Sequence, residues 1–184
     1  MADAVKESMS ASEGRIVWPN LIGLTLSLVI WAPFLGATQI YWQVFLYELG
    51  ATPLAISMIY VSSSVVFSIA RIYGGYLCDR FGRKILIVSL TYLAALTYLI
   101  MYFAENWMQI LVAEAIMSLA LLYNPALMAI IVESAPPEKR GKILTATSLV
   151  VDIASIASPY IALIFVTEYG LVQGVRFTLM LAFI

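Results

Sequence analysis

The sequence has no histidine and a single cysteine, Cys78, among its 184 residues. One cysteine cannot form an intramolecular disulfide, and without His or a second Cys the common zinc ligand sets are excluded. A nucleophile activated by a neighbouring His is excluded for the same reason. These absences argue against an enzyme and predict neither a metal nor a cofactor.

Charge is also scarce, since charged residues make up 11% of the chain, against about 25% in soluble domains. Apolar residues make up 62%, and the formal net charge at pH 7 is −1. The chain therefore carries no basic footprint for nucleic acid. Its composition is typical of a protein that crosses the lipid bilayer several times.

Long apolar runs alternate with short polar connections, and most of the runs can cross a bilayer core of about 30 Å. Five complete spans are predicted, at about residues 20–45, 54–78, 85–103, 107–132 and 143–166. After a predicted turn from Glu168 to Arg176, a sixth apolar run begins near Phe177 and is too short to cross. We expect an all-α membrane protein with five complete transmembrane helices plus a stub of the sixth, and interpret the chain as an incomplete piece of a longer protein.

Positive charge is distributed unevenly between the two sides of these spans. Eight of the ten Lys and Arg residues lie in the N-terminal tail and in the second and fourth connections. Because positively charged connections face the cytoplasm, residues 1–17 are predicted to be a cytoplasmic tail. Residues 18–184 are predicted to form a transmembrane bundle in the plasma membrane.

Two features of single spans can also be predicted. Pro33 and Gly36 interrupt the first span, which indicates a kink or a close helix contact. The third span carries few polar residues besides tyrosines and is predicted to face lipid more than any other.

A charged loop punctuated by glycine joins the second and third spans. A carboxylate at the C-terminal end of a helix is disfavoured by the helix dipole, so Asp79 needs cationic or N–H partners. Gly82 permits a tight reversal with positive φ, and Gly75 allows another helix to approach closely. The loop reads Gly75-x-Leu77-x-Asp79-Arg80-x-Gly82-Arg83-Lys84.

This loop resembles the one between helices two and three of the major facilitator superfamily of secondary transporters. The stretch Glu133-x-x-Pro136-x-x-x-Arg140-Gly141 is similar to the family's loop between helices four and five. Two shorter stretches resemble the starts of helices two and six: Glu48-Leu49-Gly50-Ala51-Thr52-Pro53 and Gly174-x-Arg176-Phe177. The resemblance covers nearly the whole chain but only the N-terminal half of a twelve-helix family. It implies that the C-terminal six-helix half is missing from this chain.

The resemblance implies secondary active transport of a small-molecule solute by alternating access, coupled to protons. It also implies a conformational latch that closes the cytoplasmic side of the bundle. The residues that match the latch are Gly75, Asp79, Arg80, Gly82, Arg83, Lys84, Glu133 and Arg140. The alternative function is a non-transporting membrane sensor or scaffold, because one fold can serve several functions.

The chain departs from the family pattern in two helices. Alignment on Pro125 and Glu133 puts Ala113 where proton-coupled members often carry Arg in helix four. In helix five, Ala154-x-x-x-Ser158-Pro159 is a degenerate version of the glycine-rich motif that antiporters often carry.

Ionisable groups inside membrane spans are functional candidates. Asp152, near the middle of the fifth span, is either a proton-coupling or substrate-cation site or a structural pair with another helix. Glu114 lies nearer the outer face, and we interpret it as lining a cavity, with snorkelling to the interface as the alternative. Gln39, Gln43 and Asn124 lie on helices that line the cavity in the family. The resemblance implies that they hydrogen-bond to substrate, and the alternative is that they pack against other helices.

Overall fold

Residues 18–183 are described by a computed structural model of the chain. Within this range the chain folds into helices and short connections, without a strand. The side-chain surroundings of a few residues lie outside the description: Asn20, Gly75, Cys78, Asp79, Phe81, Arg83, Lys84 and Ala126.

The helices follow the predicted spans, and three of the spans are divided into two helices. By length and composition, five segments of the described chain are long and apolar enough to cross a membrane. In chain order the helices are α1 (Trp18–Ile40), α2 (Trp42–Glu48), α3 (Pro53–Phe81), α4 (Arg83–Tyr102), α5 (Trp107–Ala120), α6 (Tyr123–Glu133), α7 (Arg140–Ser155), α8 (Ser158–Tyr169) and α9 (Leu171–Phe183), with a 3₁₀ turn at Pro137–Lys139 before α7.

Prolines account for the breaks in the fourth and fifth spans. Pro125 has no N–H to donate to the Leu121 carbonyl, which instead accepts a 3₁₀-type bond from the Asn124 N–H at 3.1 Å. In the fifth span Pro159 leaves the Ser155 carbonyl without its usual partner, and the chain makes a turn between α7 and α8. From the apolar pattern alone, each of these two segments is predicted to be one continuous helix.

The predicted turn from Glu168 to Arg176 and the predicted start of the sixth run near Phe177 are wrong. The turn is confined to Gly170, which has a φ of 79° and ends α8. α9 then begins at Leu171 and is 13 residues long. The polar residues Gln173 and Arg176 were interpreted as loop residues, but both lie in the first turns of this helix.

The helices pack as two similar groups of three. α1 packs against the fifth span (α7 and α8) and against α9, while α5 of the fourth span packs against α3 and α4. α4 and α9 also contact each other and join the two groups. The contacts are therefore related by exchanging the first span with the fourth, the second with the fifth, and the third with the sixth, which is the pattern of an inverted repeat.

The third span is not the least buried span of the described chain, and its exposure to lipid stays a prediction. α4 packs against α5, α6 and α9 at once, whereas the segment of α7 and α8 buries the smallest share of its residues. A scarcity of polar side chains does not distinguish a face that meets lipid from one that meets other apolar helices.

Two glycines bring helices into close contact. A β-carbon added at Gly36 would collide with the Ser158 side chain, so α1 touches the first turn of α8 there. This contact confirms the close approach that Pro33 and Gly36 predicted in the first span. A β-carbon added at Gly174 would lie 2.7 Å from the Phe165 carbonyl oxygen, so α8 and α9 pack backbone to backbone.

Candidate functional site

A cavity of about 210 Å³ lies between α1, α2, α4, α5 and α9. Gln39 of α1 and Glu114 of α5 are the amide and the carboxylate of its wall. Three aromatic side chains also line the cavity: Trp31, Trp42 and Tyr98. The remainder is apolar or already hydrogen-bonded: Leu35, Thr38, Met101, Met117, Leu121 and Leu179. We call this space the Glu114 cavity.

A second cavity, of about 340 Å³, lies next to the Glu114 cavity between α1, α4, α6 and α9. Trp31 and Tyr98 line both spaces. Their ring centroids are 6.3 Å apart and their planes are inclined by 67°, an edge-to-face contact. The lining of the second cavity also includes Ser27 and Thr91. The Trp31–Tyr98 pair therefore forms the partition between two adjoining cavities.

Hydrogen bonds hold the wall of the Glu114 cavity in place. The Trp31 indole N–H donates to the Ala182 carbonyl at 3.1 Å, which joins α1 to α9. Thr38 Oγ1 lies 3.1 Å from Thr178 Oγ1 in a second buried link between the same helices. The hydroxyl of Thr38 also lies 3.0 Å from the Phe34 carbonyl, so it is not free to bind a solute.

The helix that carries Glu114 begins at the N-cap residue Asn106. The Asn106 side chain accepts a hydrogen bond from the Gln109 N–H at 3.1 Å, and the Gln109 side chain accepts one from the Glu105 N–H at 2.7 Å. Arg176 supports the same connection from α9, because its Nη2 donates to the Ala104 carbonyl at 2.7 Å. The register of α5, and with it the position of Glu114, is set by these bonds.

The structure brings together only two of the five residues predicted to contact substrate or protons. Gln39 and Glu114 line one cavity. Gln43 is exposed on α2, Asn124 is half-buried in the first turn of α6, and Asp152 is exposed on α7. None of these three lines either of the two cavities described above.

The predicted latch residues lie in the last two turns of α3, at Gly82, and at the ends of α4, α6 and α7 that adjoin the two basic connections. Gly82 has a φ of 82°, which confirms the predicted reversal between α3 and α4. Arg80 Nη1 lies 3.2 Å from the Tyr76 hydroxyl, and Arg140 Nε donates to the Ala135 carbonyl at 3.3 Å. Glu133 is exposed at the end of α6. The surroundings of the other predicted latch residues lie outside the description: Gly75, Asp79, Arg83 and Lys84.

Sequence reasoning missed the aromatic part of the Glu114 cavity. The signal was present, because the lining residues of the first span recur at helical spacing, at positions 31, 35, 38, 39 and 42. Glu114, Met117 and Leu121 repeat the pattern on the fourth span. What the pattern lacked was the identity of the helices that close the cavity, since α4 and α9 are brought there by tertiary packing.

Membrane-length helices packed around a partly polar cavity define a multi-pass membrane protein. The chain matches the family model described as Major Facilitator Superfamily over residues 17–184. It therefore belongs to the major facilitator superfamily, whose members are membrane transporters of small solutes rather than enzymes. No curated protein matches the chain.

Proposed function

We propose that residues 18–184 act as the N-terminal half of a secondary transporter that moves a small solute by alternating access, driven by protons. The observation that carries the proposal is the Glu114 cavity, where Gln39 and Glu114 come from two different spans of the bundle. In this mechanism two helical bundles rock about a solute site between them and open it to each side of the membrane in turn. The described chain supplies one wall of such a site.

Asp152 supports the presence of a second half. It is exposed on α7, within the segment 137–169 that is apolar enough to span a membrane. A carboxylate facing lipid near the centre of a helix costs about 2.5–3.5 kcal/mol on insertion scales. We propose that Asp152 faces the other half, either as a structural pair or as a proton-coupling group, because it lies outside both cavities.

The latch is proposed to close the end of the bundle at which α3 and α6 finish. Gly82 sets the reversal, and Arg140 lies beside the last residues of α6 through its bond to Ala135. We expect Asp79 and Arg83 to act on the balance between conformations rather than on solute affinity. In a Cys78→Ser background with a cysteine introduced into the cavity as Met117→Cys, Asp79→Asn would then increase labelling of that cysteine by thiol reagents added from the latch side.

Flux into vesicles tests the transport proposal. The chain is reconstituted together with the second half that the proposal requires, a proton gradient is imposed, and uptake is measured for three labelled probes: choline, glucose and leucine. We expect saturable uptake of at least one probe, lost in Glu114→Gln. Glu105→Gln is the matched control, because Glu105 is an exposed carboxylate in the connection before α5 and does not line the cavity.

Two outcomes would contradict the proposal. If no probe enters faster than it enters protein-free vesicles, the chain does not transport these classes of solute. If a probe binds to the protein but does not enter, the sensor or scaffold alternative is favoured. Uptake that persists after the proton gradient is collapsed would contradict proton coupling alone and would leave transport standing.

A further inference from the structure

The Glu114 cavity combines one carboxylate with three aromatic rings, and this combination favours one chemical class of solute. We propose that it binds a small organic cation, of the alkylammonium or quaternary ammonium class. The inference rests on the proposed function and names the solute class of the same site. It is argued from the charge, the rings and the size of the cavity, in that order.

The charge of the cavity favours a cation. Glu114 is its carboxylate, and the residues of the wall include no Lys or Arg. Among the described residues no cationic side chain forms an ion pair with Glu114. An uncompensated carboxylate inside a membrane span is costly, so a bound cation would supply the missing counter-charge. An anionic solute would add a second negative charge and is disfavoured.

The aromatic rings favour an organic cation in particular. The faces of Trp and Tyr attract ammonium groups, and sites for quaternary ammonium ligands are commonly built from such rings. Trp42 and Tyr98 are buried. Trp31 is held by its bond to the Ala182 carbonyl and by its contact with Tyr98. The rings are thus positioned before a solute arrives, which lowers the entropic cost of binding.

The lining argues against a bare metal ion. Hard cations such as Ca²⁺ take about six to eight oxygen ligands. Here the side-chain oxygens come from Glu114, Gln39, Tyr98 and Thr38, and the Thr38 hydroxyl is already bonded within the protein. Leucine and methionine occupy most of the rest of the wall. A weakly hydrated cation with apolar substituents fits this surface better than an ion that needs a cage of oxygens.

The volume limits the size of the solute. The cavity measures about 210 Å³, below the roughly 300–1,000 Å³ of pockets that hold drug-sized ligands. A compact ammonium compound such as choline is of suitable size. Its hydroxyl can donate a hydrogen bond to the Gln39 amide oxygen or accept one from the amide N–H. Choline is named here as a probe of the class.

The test compares choline with 3,3-dimethylbutan-1-ol, which has the same shape but carbon in place of the charged nitrogen. Binding of each compound to the 184-residue chain in lipid nanodiscs is measured by calorimetry. We expect choline to bind at least tenfold more tightly than its neutral isostere. Glu114→Gln should reduce choline affinity at least tenfold, Trp42→Leu should reduce it by a smaller factor, and Glu105→Gln should leave it unchanged.

Unfolding midpoints of the variants are measured in parallel, so that loss of binding is interpreted only for variants that remain folded. Equal affinity for choline and the isostere, or unchanged choline affinity in folded Glu114→Gln, would overturn the proposal. So would the absence of binding to the unaltered chain. Vesicle uptake of glucose or leucine without choline binding would overturn this inference and leave transport standing. Choline binding without uptake of any probe would support the inference and contradict transport.

Discussion

At the scale of single residues, Gly36 determines how closely α1 approaches α8. A β-carbon at this position would lie 2.8 Å from the β-carbon of Ser158 and in closer contact with its hydroxyl oxygen. Rotation of the Ser158 hydroxyl would relieve only the second contact, because the β-carbon is attached directly to the backbone. The helices would have to separate, and the cavity wall on α1 would move with them.

We expect Gly36→Ala to lower the free energy of unfolding by about 1–3 kcal/mol, the usual cost of overpacking. Gly23→Ala is the control, because Gly23 lies on the same helix with no other atom within 4 Å of an added β-carbon. That change should be neutral or should stabilise α1 by up to about 1 kcal/mol. Denaturant titration of the purified chain in detergent micelles, followed by circular dichroism, measures both. Equal effects of the two changes would show that the contact with Ser158 does not limit packing.

The sequence indicated which residues of α1 were unusual but not what they touch. Pro33 and Gly36 are recognisable in a single span because they break a run of good helix formers. Their partner Ser158 lies on a distant segment, and no local pattern connects the two. The same holds for Gln39 and Glu114, each of which could be singled out as polar, although their shared cavity depends on tertiary packing.

At the scale of helices and connections, Gly82 separates α3 from α4. Its φ of 82° and ψ of 141° lie in a region that residues with a β-carbon rarely adopt. The chain reverses at this single residue and α4 begins immediately after it. Any other residue at this position would favour continuing α3 or shifting the start of α4.

Gly82→Ala is therefore expected to destabilise the chain by about 1–3 kcal/mol, the cost of holding a residue with a β-carbon in a sparsely populated backbone conformation. Gly141→Ala should have the opposite sign, because Gly141 lies in α7 with open space around it and Ala favours a helix. Thermal unfolding of the two variants in parallel provides the measurement. Two effects of the same sign would contradict the assigned conformation of Gly82.

Predicted and observed elements differ where a local rule competes with a longer pattern. Apolar length was sufficient to find the spans, because a membrane-crossing helix needs about 20 apolar residues. It could not divide the fourth span at Leu121, since Pro125 acts through the hydrogen bond that it cannot make. It also placed the start of α9 too late, because Gln173 and Arg176 looked like loop residues although Arg176 bonds to the Ala104 carbonyl.

At the scale of the whole molecule, the direction in which the chain crosses the membrane follows from charge. The connection that holds Lys139 is basic, whereas the connection that holds Glu105 has no Lys or Arg between α4 and α5. Consecutive spans run in opposite directions, so these two connections lie on opposite sides of the membrane. The basic side is expected to be cytoplasmic.

Cysteine labelling in cells tests this orientation. Cys78→Ser first removes the natural thiol, and Glu105→Cys or Lys139→Cys then adds one at an exposed position. A membrane-impermeant maleimide should label Glu105→Cys in intact cells and Lys139→Cys only after permeabilisation. The reverse result would place the N-terminus outside.

The division of the fourth span at Leu121 provides a hinge near the middle of that span. On one side of the hinge, α5 carries Glu114, which lines the cavity. On the other side, α6 is 11 residues long and ends at Glu133. At about 1.5 Å per residue α6 is roughly 16 Å long, so a bend of about 10° at the hinge would displace the end of α6 by about 3 Å. That displacement is about the length of one hydrogen bond, enough to make or break a contact at the far end of α6. Amide hydrogens around the hinge at Leu121 should therefore exchange with solvent faster than those in the middle of α4, and a bound solute should slow this exchange.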